Sequence, residues 1–268
     1  MNSDAPILLA PHPTLAGVST LTLNRPAALN ALNQAMTAAF VTLIQQVAAD
    51  TSIRVLIVQG AGDHFMAGGD IKGFVTTLES TGPERKQHFI DMIHVLHGAV
   101  ELMQRMDVIT VSKVHGACAG FGMSLAIGCD LTIASDDAYF ATAYKAIGLT
   151  PDGGQSYFLP RLVGMKKAME LTLLSERIKA DEAMRLGFVN KVVPLADLNA
   201  TVDKIAQQIS RSARGSMSGA KRLISTSLSH TMSEQLNAEA ESFSSCASKP
   251  DFVEGINAFI EKRHAKFE

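Results

Sequence analysis

Over residues 15–23 polar and apolar side chains roughly alternate. Val18, Leu21 and Leu23 stand among Ser19, Thr20 and Thr22, the period of a strand with one buried face at a sheet edge or outer layer. Helical spacing replaces it at 33–50, where Met36, Phe40, Leu43 and Val47 share one face. The run IRVLIVQG at 53–60 is apolar and β-branched, which predicts a strand covered on both faces, and it opens into a glycine-rich loop, GAGDHFMAGGD. Phe89, Ile93, Leu96, Val100 and Met103 then mark the apolar side of a helix over 84–106. The order repeats: VITVSKV at 108–114 reads as a second buried strand, HGACAGFG as a second glycine loop, and MSLAIG as a short apolar helix. Two strand–loop–helix units therefore present two glycine loops.

Downstream, CDLTIASDDAYFATAY reads as short strands, SYFLPRLVGMKKAMELTLLSE as helix punctuated by Pro160 and Gly164, and FVNKVV as a last strand ending at Pro194. Residues 195–268 carry helical patterns, with Asp197, Ser218 and Ser233 as cap candidates. This shift predicts an α/β core over 1–194 and a helical region over 195–268, a division that suits a chain of 268 residues. No repeat of fixed short period is present.

Composition narrows the function classes. With 47% hydrophobic and 19% charged residues the chain is globular rather than disordered. The 24 basic and 26 acidic residues leave a net charge of -2, so no general nucleic-acid or membrane footprint is expected and partners should be small molecules or proteins. Cys118, Cys129 and Cys246 are widely spaced, with no Cys-x-x-Cys and no zinc spacing, as expected of core thiols in a reducing compartment; no metal is expected. The start MNSDAPILLAPHPT lacks a basic n-region and a long apolar run, so neither a signal peptide nor a membrane span is expected and the cytoplasm is the expected location.

The glycine loops first invite a nucleotide reading. GFGMSL from Gly120 has Leu125 where a dinucleotide fingerprint needs its third glycine, and GSMSGAKR from Gly215 has the wrong spacing for a phosphate loop. No Gly-x-Ser-x-Gly elbow is present. His94 and His97 share one helix without a third ligand nearby, which fits a surface or groove better than a metal, and His115 is placed to hydrogen-bond the turn beside it. What remains is a pair of loops at strand ends, each able to aim a backbone N–H into one crevice. Such a pair can serve as an oxyanion hole, the second donor being strengthened by the N-terminus of the short helix after Gly122. Near them in the chain, KAIGLTPDGG sets Asp152 before Gly153-Gly154. By residue type alone this Asp is a good N-cap for the helix that follows, and equally it is a carboxylate able to move protons.

At these loops the chain resembles the enoyl-CoA hydratase/isomerase (crotonase) family, and the resemblance covers nearly the whole sequence. LNRPAALNAL, HFMAGGDIKGF, VHGACAGFGMSLAIGCDLTIAS, GLTPDGGQSYFLPRLVG and EGINAFIEKRHAKF occur in family order and spacing. The resemblance implies an α/β fold, a crotonase-like spiral of ββα units with a C-terminal helical trimerisation region, and a homotrimer or dimer of trimers. It implies an acyl-CoA substrate, coenzyme A entering as part of that substrate with no separate cofactor. Carried over by position, the N–H groups of Gly69 and Phe121 form the oxyanion hole; a positive φ at 121 would strain a phenylalanine. By the same resemblance Ala27, Ala28, Leu29, Ala67, Asp70, Ile71 and Lys72 line the coenzyme A path. Phe259 and Lys262 close over it from a neighbouring subunit.

Hydratases of this family place two glutamates at positions that read Ser124 and Tyr144 here, neither able to act as a carboxylate base. Isomerase-like members, such as a ring-opened phenylacetyl-CoA isomerase, carry an acid at the position of Asp152. The leading expectation is therefore a Δ3/Δ2 enoyl-CoA isomerase. Asp152 moves the proton, Gly69 and Phe121 hold the enolate, and Ile147, Leu149, Tyr144 and Phe121 supply apolar surroundings that raise the carboxyl pKa. Phe74, Val75, Leu78 and the segment 79–97 are expected to shape the acyl groove. An aryl-CoA dehalogenase-like reading, with Asp152 as nucleophile and His97 as base, has partial support, because Gly69 and Tyr144 stand where that branch has Phe and Trp. An atypical hydratase and a non-catalytic acyl-CoA-binding protein complete the alternatives.

Overall fold

The computed structural model describes residues 4–267, so the first three residues of the N-terminal stretch read above lie outside the described residues. β1 (Ile7–Pro11) pairs antiparallel with β2 (Val18–Leu23), which makes β1 the sheet edge and β2 its inner neighbour. α1 (Gln34–Ala49) follows, capped by the Asn33 side chain accepting from Met36 N–H. β3 (Val55–Gly60) leads to the short α2 (Ile71–Val75) and the long α3 (Gly82–Arg105), whose start carries a Thr81/Glu84 capping box. β4 (Ile109–Val114), β5 (Ala117–Ala119) and α4 (Phe121–Ile127) come next, then β6 (Leu131–Ser135), β7 (Tyr139–Ala141), α5 (Gln155–Val163) and α6 (Met165–Leu174). β8 (Ile178–Lys179), α7 (Ala180–Leu186) and β9 (Lys191–Val193) complete the core strands. Four helices end the chain: α8 (Leu198–Ser210), α9 (Arg214–Thr226), α10 (Met232–Ala247) and α11 (Pro250–Ile260).

The large sheet has the order β1-β2-β3-β4-β6-β9 and is parallel from β2 onward; the small sheet has the order β5-β7-β8. A parallel bridge between Met66 and Cys118 extends the small sheet by one position. Three successive turns of the chain therefore each pass through the large sheet, then the small sheet, then a helical segment: β3, Met66 and α2–α3; β4, β5 and α4; β6, β7 and α5–α6.

Alternation within the buried strands divides the core. Val18, Val55, Ile57, Val111 and Ile133 pack against Leu198, Val202 and Ala206 of α8. Leu21, Leu56, Val58 and Val114 face the larger cluster, with Phe40 and Ile44 of α1 and Leu96 and Met103 of α3. Both faces of the parallel sheet are thus covered, as its continuous apolar strands require. The first helix of 195–268 accordingly belongs to the packing of the sheet rather than to a unit that begins at residue 195.

Several local expectations are corrected. Asp197 precedes α8 without a side-chain cap bond, Ser218 lies inside α9, and α10 is capped by Thr231 with Glu234 rather than by Ser233. Pro160 sits within α5; only Gly164 breaks the helical run. Among the described residues no helix is long and apolar enough to cross a membrane.

Candidate active site

A cavity of about 570 Å³ opens at the carboxyl ends of β3 and β4, the usual location for a site in a parallel sheet. The loops after these strands are fixed against each other. Met66 N–H donates to Ala117 O at 3.0 Å, and Ala119 N–H donates to Met66 O at 2.8 Å. Gly122 is obligatory for this approach, since a Cβ there would stand 2.3 Å from Met66 O. The first loop is also held from its other side, by Ala67 N–H donating to Leu29 O (3.0 Å), Leu32 N–H to Gly68 O (2.8 Å) and Asp70 N–H to Leu32 O (2.9 Å). Asn30, fully buried, donates through Nδ2 to Ala61 O and His64 O, which holds the turn leading into that loop.

Within this frame the N–H groups of Gly69 and Phe121 have no backbone acceptor among the described residues, and both residues line the cavity. The positive φ of the second loop falls on Gly120 (φ 54°, ψ -127°), so Phe121 is unstrained. Phe121 is itself the first residue of α4, which therefore begins before Gly122, and its N–H is one of the orphan donors at a helix start. The pair has the form of an oxyanion hole.

Opposite the loops stands Asp152. It does not cap a helix: α5 is preceded by Gly154 without a side-chain cap bond, and only the Asp152 carbonyl reaches that helix, accepting from Gln155 N–H at 3.2 Å. Its carboxylate accepts through Oδ1 from the Tyr144 hydroxyl at 2.5 Å, and its carbonyl accepts from Ser124 Oγ at 2.9 Å. Ser124 lies 3.1 Å from Tyr144 Oη and is fully buried, so it supports the wall from behind instead of lining the cavity. Gly153 N–H donates to His97 Nε2 at 3.1 Å. Among the described residues Asp152 is the one carboxylate lining this cavity.

Burial pushes the Asp152 carboxyl above its ordinary value, with the Tyr144 hydrogen bond opposing the shift and His97 adding to that opposition only when its imidazole carries a charge. Burial, then the adjacent carboxylate, raise Tyr144, which therefore stays a neutral donor. Tyr144 follows Ala143, a left-handed alanine (φ 63°) pinned by its N–H to Ser175 Oγ at 3.0 Å.

Phe74, His97, Tyr144, Ile147 and Leu149 all line the cavity, and Phe74 packs edge-on against Phe89 with ring centroids 5.1 Å apart. Val75 and Leu78 are exposed and lie outside the lining, a departure from the sequence expectation. Phe89, Met92 and Ile93, within the segment 79–97 read as shaping the groove, line the cavity, so the apolar face of the first half of α3 is turned to it. Leu32, Thr37 and Ala143 also line it, and no sequence signal singled them out.

Ala67 and Ile71 line the cavity, while Leu29 lies beside them through its bond to Ala67. Ala27 and Ala28 fall in the adjoining 3-10 turn Pro26–Ala28. Lys72 is exposed in the first turn of α2. Asp70 caps α2 through Lys72 N–H and pairs with Arg25 at 2.8 Å, which holds its carboxyl below the usual range. Phe259 and Lys262 are not brought to this cavity within the chain; Phe259 is 83% exposed at the end of α11. His115 Nε2 lies 2.8 Å from Gly62 O and ties down the first loop's base.

The sequence profile described as Enoyl-CoA hydratase/isomerase matches residues 14–268. A 1,2-epoxyphenylacetyl-CoA isomerase of Escherichia coli is 32% identical over 94% of this chain and 95% of its own length. A short-chain-enoyl-CoA hydratase of Clostridium acetobutylicum is 34% identical over 92% of each. The crystal structure of an enoyl-CoA hydratase from Polaromonas sp. JS666 superposes with a TM-score of 0.90 at 30% identity, covering 98% of this chain and 99% of that one.

Proposed function

This chain belongs to the enoyl-CoA hydratase/isomerase family, and from that premise we propose that it is a Δ3/Δ2 enoyl-CoA isomerase in which Asp152 carries the proton. The carrying observation is that, among the described residues, a single carboxylate lines an apolar cavity opposite two N–H groups that have no backbone acceptor. The thioester oxygen of a 3-enoyl-CoA accepts from Gly69 and Phe121 N–H. Asp152 takes a proton from C2, the C2–H electrons pass into the thioester, and the resulting dienolate oxygen is held by both donors. The C2=C3 bond forms as C3=C4 opens, and the same carboxyl returns its proton to C4. Tyr144 donates to Oδ1, and Oδ2 is the oxygen assigned to the shuttle. Raising the carboxyl pKa by burial brings the base closer to the strength that proton abstraction requires.

A hydratase must activate water and protonate carbon, and the family does this with two carboxylates. Ser124 and Tyr144 supply neither, which favours isomerisation over hydration. In the proposed complex coenzyme A runs along 27–29 and 67–72, with Phe259 and Lys262 of a second copy closing over it in a homotrimer or dimer of trimers.

Asp152→Asn is expected to lower kcat for 3-enoyl-CoA isomerisation by about 10²- to 10⁴-fold, the usual worth of a general base, measured by the product double bond in proton NMR. A variant isomerising at the wild-type rate overturns the assignment. In oxygen-labelled water, single turnover of a halogenated aryl-CoA that labels the Asp152 carboxylate would instead establish nucleophilic attack.

A further inference from the structure

We propose that His97 is a positioning residue that acts by accepting a hydrogen bond: as a neutral imidazole it holds Gly153 N–H and thereby aims the Asp152 carboxylate, and its protonation releases that loop. The proposal rests on the reading of Asp152 as the base.

A neutral imidazole has one lone-pair nitrogen and one N–H. Because Nε2 faces the Gly153 N–H at 3.1 Å, Nε2 is the acceptor and the proton resides on Nδ1. The same contact removes Nε2 as a base toward substrate. Gly153 is buried with φ +60°, and its N–H follows directly on the Asp152 carbonyl, so fixing that N–H fixes the peptide plane from which the carboxylate projects. Three anchors therefore hold the loop: Tyr144 on Oδ1, Ser124 on the carbonyl and His97 on the next N–H. Protonated imidazole is a donor at both nitrogens. The Gly153 N–H then faces another N–H, and a buried amide loses its partner.

The groups around His97 leave the switch to the imidazole. Asp152 and, through it, Tyr144 face His97 from the loop. α1, packed along α3, carries no titratable side chain, nor does α4. On α3 itself His94 is exposed one turn earlier, and Glu101 pairs with Arg105 one turn later. From α9, Lys221 and Arg222 engage Asp130 and Asp107 beyond the far end of α3.

Two variants and one substrate-free measurement test this. Gln at 97 can present Oε1 where Nε2 stands and does not titrate; Leu presents no acceptor. His97→Gln should keep most of kcat, since its amide oxygen can replace the lost acceptor. His97→Leu should lose roughly 10- to 100-fold in kcat, the scale of a small misplacement of a catalytic group, with a smaller change in KM. In nitrogen-15 NMR of the free protein, His97 should be the Nδ1–H tautomer and the Gly153 amide shift should titrate with it, a coupling absent in His97→Gln. An Nε2–H tautomer, or His97→Gln falling as far as His97→Leu, overturns the proposal. Failure of the wild type to isomerise 3-enoyl-CoA would sink the isomerase reading while leaving the tautomer and titration results to decide the role of His97.

Discussion

Asp152 is a group whose location the fold tolerates at a cost. Its folded pKa is raised, so its contribution to stability is fully present below the unfolded value near 3.8 and is lost as pH rises through the folded value. At neutral pH the buried charge therefore destabilises the chain. Asp152→Asn should melt at a higher temperature than the wild type at pH 7, and the difference should vanish on acidification below the carboxylate range, as thermal denaturation followed by circular dichroism would show. Tyr144→Phe acts on the same group in the opposite sense: removing a hydrogen bond that lowers the Asp152 pKa moves the acid limb of kcat/KM to higher pH. At this scale the sequence offered the right residues with undecided roles. An Asp before two glycines has the local grammar of a cap, and only the partners of its carboxylate, eight residues back at Tyr144, separate a cap from an acid.

Among the elements, the glycine-bearing turns decide the geometry of the site. Gly122→Ala would set a Cβ against Met66 O, forcing apart the two loops that carry the proposed oxyanion donors. Its kcat should fall by about 100-fold, the worth of one such donor, with secondary structure retained by circular dichroism. The long buried strands and α1 were legible because continuous or periodic hydrophobicity reports burial directly. β5 and β8, of three and two residues, are too short to show a period. β1 was missed because ILLAP offers only a short apolar run, and its pairing with β2 is a non-local fact. The start of α4 was read two residues late because Gly-Phe-Gly has the composition of a loop, whereas a helix can begin there once Gly120 takes the left-handed turn.

For the molecule as a whole, the C-terminal helices leave Leu228, Met232, Phe243, Phe259 and Ile260 each at least 70% exposed, more apolar surface than a solitary copy would be expected to show. An assembly that covers them should make coenzyme A affinity depend on association. If the proposed homotrimer or dimer of trimers forms through this surface, Phe243→Asp should lower the mass measured by light scattering and weaken acyl-CoA binding together, although Phe243 is not in the cavity lining. α9 is locked to the end of α3 and to the segments leading into β4 and β6 by Lys221, which donates to Met103 O and Val108 O and pairs with Asp130 at 2.9 Å. Lys221→Met leaves that carboxylate without its cation and should cost about 3 kcal/mol in chemical denaturation. The spiral itself has a further consequence. Gly69 belongs to its first turn, Phe121 to its second and Asp152 to its third, so the proposed reacting centre is written across the winding and resides in no excisable piece. A growing chain would acquire the proposed cradle for the thioester oxygen before it possesses the carboxylate proposed to take the proton, and that chemistry would have to wait for the last coil to close.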